Sequence, residues 1–143
     1  MTIPHVQLGF IEAADAALFA LENNISSCYK IKMEKIVQDG IKNGLKFSKS
    51  MSYLKGPATR LKANFLNFKN GSGKSAPVYE EAISILEKTP NRWEKGTAYF
   101  DAGKSMPDKR EEYLKKAREI FTDCNLVREI NRVDEFVKKN QSL

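Results

Sequence analysis

The sequence predicts an all-α fold: about seven helices paired as antiparallel hairpins, stacked as a short α-solenoid or closed into a compact bundle, within one domain spanning 1–143. Three observations carry this expectation. Apolar residues recur at spacings of three and four along most of the chain, the period of a helix with one buried face. Runs of Val, Ile and Thr of the kind that make strands are scarce. Asn, Gly and Pro punctuate the chain at intervals of roughly one helix.

The first helix is expected from about Gln7 to Glu22, with Phe10 or Ile11, Ala14, Leu18 and Leu21 on one face and Asn23-Asn24 as its stop. A longer tract, Ser27 to Tyr53, carries Met33, Val37, Ile41 and Leu45 at spacings of four. Gly40 and Gly44 weaken it and predict a break or kink. Gly56-Pro57 then interrupts, and Ala58 to Lys69 forms a third helix with Leu61, Phe65 and Phe68 inward. Asn70 to Ser75 reads as a flexible loop, and Pro77 suits the first turn of a helix reaching Lys88. Val78, Ala82, Ile85 and Leu86 supply its inner face.

After Thr89-Pro90, Asn91 is a good N-cap, with Glu94 three residues on. That helix is expected to end at Gly103. Asp108 and Glu111 repeat the capping pattern before a helix through Tyr113, Leu114, Ala117, Ile120 and Phe121. The last helix starts near Asn125, with Leu126, Ile130, Val133 and Val137 as its stripe. Arg128, Arg132, Lys138 and Lys139 share its outer face with Glu129 and Glu135.

The 143 residues are enough for one hydrophobic core. The apolar stretch Leu8 to Leu21 holds Glu12 and Asp15, follows no basic segment, and is too short and too charged to span a membrane. A cytoplasmic location is expected. Cys28 and Cys124 are far apart and His5 is the single histidine, which excludes a Cys/His zinc site of the usual kind. Two buried thiols are the expectation, with one long-range disulfide as the alternative.

Asn91 to Phe121 resembles a tetratricopeptide-type repeat. The first helix reads Trp93-Glu94-Lys95-Gly96-Thr97-Ala98-Tyr99-Phe100-Asp101-Ala102-Gly103, and the second contains Tyr113-Leu114-Lys115-Lys116-Ala117-Arg118-Glu119-Ile120-Phe121. Small residues such as Gly96, Ala98 and Ala117 let two helices approach closely, and Trp93, Tyr99 and Tyr113 fill the gaps between layers. Leu61 to Phe65 followed by Tyr79 to Ile83 is a weaker copy with a longer loop. The better unit departs from the pattern in having Arg110 or a neighbour where the family prefers Ala, in about two extra loop residues, and in having no Pro after Phe121. The resemblance implies a protein-binding scaffold or sensor module of TPR-like type, capped by the last helix.

Charge is uneven. Lys30 to Lys74 holds eleven Lys or Arg against two acids, Glu34 and Asp39, whereas Ser75 to Leu143 is balanced. Such a segment suits an acidic partner. Lys46, Lys49, Arg60, Lys62 and Lys69 are the candidate contacts with an acidic peptide or domain. With Phe47, Tyr53, Phe65 and Phe68 interleaved, the alternative is a nucleic-acid-binding domain using residues 30–74. Asn70-Gly71-Ser72-Gly73-Lys74-Ser75 is close to the end of a phosphate-binding loop, GxxxxGK[ST], but Phe68 stands where the first Gly belongs, and no buried strand precedes it. Glu80-Glu81 and Glu111-Glu112 fall on helix surfaces, and His5 has no catalytic partner nearby. The expectation is therefore a non-catalytic protein without cofactor, metal or membrane contact, its oligomeric state unspecified.

Overall fold

The structure, a computed structural model, describes the backbone of residues 4–141 and the side chains of residues 9–141. Among the described residues there are seven α-helices, two short 3-10 turns and no strand, as the periodicity predicts. The helices are α1 Pro4–Glu22, α2 Ser27–Phe47, α3 Lys55–Asn70, α4 Ser72–Glu87, α5 Arg92–Ser105, α6 Arg110–Asp123 and α7 Val127–Gln141. They form two compact units, Met1–Ala82 and Ile83–Leu143, whose boundary falls within α4.

In the first unit α1 and α2 form a hairpin with α3 packed against both. Ile11, Ala14, Ala17, Leu18 and Leu21 of α1 join Val37, Leu54, Ala58 and Leu61 in one buried cluster. Each of the larger side chains contributes about 1.5–3 kcal/mol on burial. Asn24 takes a left-handed conformation at φ 58°. The Ile25 amide then donates to the Ala20 carbonyl and the Asn23 amide to that of Phe19, so the last carbonyls of α1 are satisfied.

The break predicted in α2 does not occur. Gly40 and Gly44 lie inside a continuous helix, both buried. A Cβ at Gly40 would lie 2.4 Å from the Ala14 Cβ and 2.9 Å from the Phe10 carbonyl oxygen. One at Gly44 would lie 2.8 Å from the Ala58 Cβ. The propensity cost of both glycines, about 1 kcal/mol each, is offset by helix packing at a separation that no side chain permits.

Between α3 and α4 a single residue, Gly71 at φ 77°, is non-helical. The expected loop to Ser75 is therefore the first turn of α4, and Pro77 lies inside that helix rather than in its first turn. The hairpin is tied by Ser75 Oγ to Asn67 Oδ1 at 3.3 Å and by Tyr79 Oη to Asn64 Oδ1 at 2.6 Å.

In the second unit Asn91 caps α5 as expected, its side chain accepting from the Glu94 amide at 3.1 Å. The helix does not stop at Gly103. It continues to Ser105, because Gly103 serves a close approach: its Cβ would lie 2.9 Å from Leu114 Cδ2 and 3.2 Å from the Leu114 amide nitrogen. Gly96 likewise faces Phe121, whose Cε1 would be 2.4 Å from an added Cβ. Pro107 opens a 3-10 turn, Pro107–Lys109, so α6 begins at Arg110 without the side-chain cap that Asp108 and Glu111 suggested.

Asn125, expected to begin the last helix, instead ends α6 at φ 57°. The Leu126 amide donates to the Phe121 carbonyl and the Asn125 amide to that of Thr122, the paired bonds of a Schellman stop. On α7, Val133 is buried, and Phe136 meets Phe100 edge-on at 6.1 Å. Glu129, expected on the outer face, is instead buried and accepts from Arg132 at 2.7 Å.

Candidate interaction surface

The five basic residues singled out from the sequence do not form one surface. Arg60 is 3% exposed. It lies in the first unit's packed interior, where its guanidinium donates to both Asp15 carboxylate oxygens, at 2.6 and 3.4 Å. It ties α1 to α3, a buried role that disqualifies it as a contact for a partner. The alignment of Arg60 with Asp15, 45 residues earlier, is not visible in local spacing. Lys69 is exposed but donates to Glu34 Oε2 at 3.0 Å. Lys62 is half-buried on α3. Lys46 and Lys49 are exposed at and just beyond the end of α2.

Lys46 belongs to a larger array. Lys32, Lys35, Asp39, Lys42 and Lys46 are all exposed on α2. At 100° per residue their steps of three, four, three and four place them within an arc of about 80° and along about 21 Å of the helix. None of the five forms an ion pair with a described residue. The buried stripe of α2, Val37, Gly40 and Gly44, holds the opposite side against α1 and α3, so packing forces the lysines outward. The three- and four-residue spacing of these lysines is the sequence signal that marks this face, and charge density alone passes over it.

At the beginning of α2, residues 26–32 are exposed throughout, including Tyr29 and Ile31. Of the four aromatics interleaved with the basic segment, Phe47, Phe65 and Phe68 pack against the core cluster, while Tyr53 is 45% exposed.

In the second unit the residues behind the repeat resemblance have distinct roles. Ala98 and Ala117 are fully buried, and Tyr99 and Tyr113 meet edge-on at 5.4 Å. The Tyr99 hydroxyl donates to Glu87 Oε1 at 2.9 Å. Burial first, and that acceptor second, hold the phenol well above its ordinary pKa. Trp93, expected to fill a gap between layers, is instead 44% exposed at the start of α5. A groove of about 650 Å³ opens between α6 and α7 over Leu114, Val133 and Val137. Two of its rim cations are engaged: Arg118 is bonded to Asp134 at 2.8 and 3.3 Å, and Arg110 to the carbonyls of Gly103 and Lys104. The Arg118 guanidinium lowers the Asp134 carboxyl below its usual range.

The remaining candidate chemistry falls in separate places. Lys74 is exposed in the first turn of α4, and the GK[ST] stretch is helical. Its amides follow a helix rather than a phosphate-cradling loop. Glu80 and Glu81 are exposed on α4, and Glu111 and Glu112 on α6, where Lys116 pairs with Glu112 at 2.9 Å and lowers its carboxyl. Both cysteines are free. Cys124 is half-buried, but Cys28 is exposed, contrary to the expectation of a buried thiol. Among the described residues no group of His, Cys, Asp and Glu is placed to hold a metal ion, and no helix is long and apolar enough to cross a membrane. The His5 side chain lies outside the described side chains. No protein-family model, curated protein or solved structure matches the chain.

Proposed function

We propose that this protein is a non-catalytic protein-interaction module of helical hairpins, resembling tetratricopeptide arrays, that holds an acidic protein surface against the exposed face of α2. The observation that carries this reading is the ladder Lys32, Lys35, Asp39, Lys42 and Lys46, solvent-facing and unpaired among the described residues. Four cations on one rigid helix form a preorganised field that speeds encounter with an acidic partner and fixes its register. The close helix contacts at Gly40, Gly44, Gly96 and Gly103 support a scaffold role, since they rigidify the hairpins that display the face. We assign the molecule to the cytoplasm on the same reading.

Asp39 favours a protein partner over nucleic acid. A carboxylate in the middle of a phosphate-binding face opposes binding, whereas a protein can place a cation opposite it. The packing of Phe47, Phe65 and Phe68 against the core also withdraws three of the four aromatics that base stacking requires.

The test is affinity capture from a nuclease-treated lysate, comparing the wild type with Lys42→Glu/Lys46→Glu. A discrete protein, or a second copy of the chain itself, should be retained by the wild type and lost from the variant. Recovery of nucleic acid before nuclease treatment, with no protein afterwards, contradicts the proposal.

A further inference from the structure

The charge pattern on α2 has its complement on α6 of the same chain, and we infer that the partner of the α2 face is α6 of a second copy, aligned antiparallel. This rests on reading α2 as a protein-contact face and names its occupant.

Asp108, Glu112, Lys115, Glu119 and Asp123 are all exposed, Asp108 in the 3-10 turn before α6 and the others on α6. The four on α6, at steps of three, four and four, lie within an arc of about 80°; Asp108, four residues before Glu112, extends the array to about 22 Å. That length matches the α2 ladder to within about one residue. Read backwards, α2 presents Lys46, Lys42, Asp39, Lys35 and Lys32, at steps of four, three, four and three. Set against α6, Lys46 faces Asp108, Lys42 faces Glu112, Asp39 faces Lys115, Lys35 faces Glu119 and Lys32 faces Asp123. Every position is opposite in sign, including the two central residues whose charges are reversed relative to their own ladder.

That central reversal fixes the register. A slip of one helical turn sets Asp39 against Glu112 or Glu119, and like charges directly opposed are unfavourable. Parallel alignment also opposes unlike charges, but the antiparallel steps coincide at four of five positions and differ by one residue at the fifth. Within α6, Lys116 already pairs with Glu112; a carboxylate has further lone pairs with which to accept from Lys42. The pairs lie on solvent-facing helices, so the association is weak, dynamic and salt-sensitive.

The experiment is sedimentation velocity on the full chain at low salt, about 50 mM, and at about 300 mM. Two variants are compared, Lys35→Glu/Lys42→Glu and Glu112→Lys/Glu119→Lys, each first checked for unchanged helicity. The wild type should self-associate at low salt, and its association constant should fall by about tenfold or more at the higher salt. Each variant alone should sediment as the 16.2 kDa monomer. Their equimolar mixture should associate again, because the acidic α2 of one then meets the basic α6 of the other.

A wild type that stays monomeric at low salt, a wild type whose association needs bound nucleic acid, or a mixture that fails to recover overturns the inference. If the wild type is monomeric while capture of a different acidic protein still requires Lys42 and Lys46, self-association is refuted and the α2 contact face stands. If the capture is lost as well, both fall.

Discussion

Gly40→Ala should destabilise the first unit, although alanine is the better helix former. Intrinsic propensity favours the substitution by about 0.8–1.0 kcal/mol. Against it, the new methyl carbon would lie 2.4 Å from the Ala14 Cβ and 2.9 Å from the Phe10 carbonyl oxygen. Carbon atoms in contact settle at about 3.5–4.0 Å, so α1 and α2 must separate by about 1 Å or more. Neither obstructing atom is the end of a flexible chain, so no rotamer change relieves the contact. Overpacking of this kind costs about 1–3 kcal/mol, occasionally more, which leaves a net loss of up to about 2 kcal/mol. Gly9→Ala is the control, since Gly9 is in α1 and its Cβ would meet nothing within 4 Å; it should gain up to about 1 kcal/mol. Urea unfolding followed by circular dichroism reads both. A Gly40→Ala midpoint equal to or above that of the wild type would refute the close α1–α2 approach.

Removing the Asp15 carboxylate takes away both of the bonds by which it accepts from the buried Arg60 guanidinium, so Asp15→Ala should cost about 2 kcal/mol by the same urea assay. Asn125, at φ 57°, should tolerate Gly but lose about 1 kcal/mol on replacement by Ala, which resists the left-handed conformation. Asn91→Ala should cost about 1 kcal/mol through loss of the α5 cap. The raised phenol of Tyr99 stabilises the fold fully below the ordinary tyrosine pKa of about 10. That contribution is lost as the pH rises above this value, because the unfolded chain ionises first. Ultraviolet titration should show a late phenolate fraction that Tyr99→Phe removes, and its persistence in that variant would assign it elsewhere.

Elements governed by local chemistry were legible in the sequence. Asn91 needs only the Glu94 amide three residues away, and Asn23-Asn24 needs only the carbonyls of the preceding turn, so both ends lay where their side chains indicated. Features set by a distant partner were not. Gly40, Gly44 and Gly103 carry the local signature of breaks, yet Ala14, Ala58 and Leu114 turn them into points of helix contact. Asp108 offers capping chemistry where a proline-led 3-10 turn takes precedence, and the last helix, expected from near Asn125, starts after a left-handed stop at that residue. Trp93, placed between layers by the repeat resemblance, is half-exposed.

The contact surface divides in the same way. Local charge density drew attention to Lys46, Lys49, Arg60, Lys62 and Lys69, but density ignores which side of a helix faces solvent. Once Val37, Gly40 and Gly44 define the buried side of α2, Lys32, Lys35 and Lys42 line up with Lys46. Arg60 leaves the set because Asp15 holds it in the interior.

Lysine footprinting of the complex tests the central assignment most directly. An amine-reactive reagent is applied to the protein with and without its bound partner, and modification is read residue by residue by mass spectrometry. Protection of Lys32, Lys35, Lys42 and Lys46 on binding, with Lys88, Lys138 and Lys139 modified as before, is the predicted result. Unchanged reactivity along α2, with protection appearing elsewhere, would contradict it.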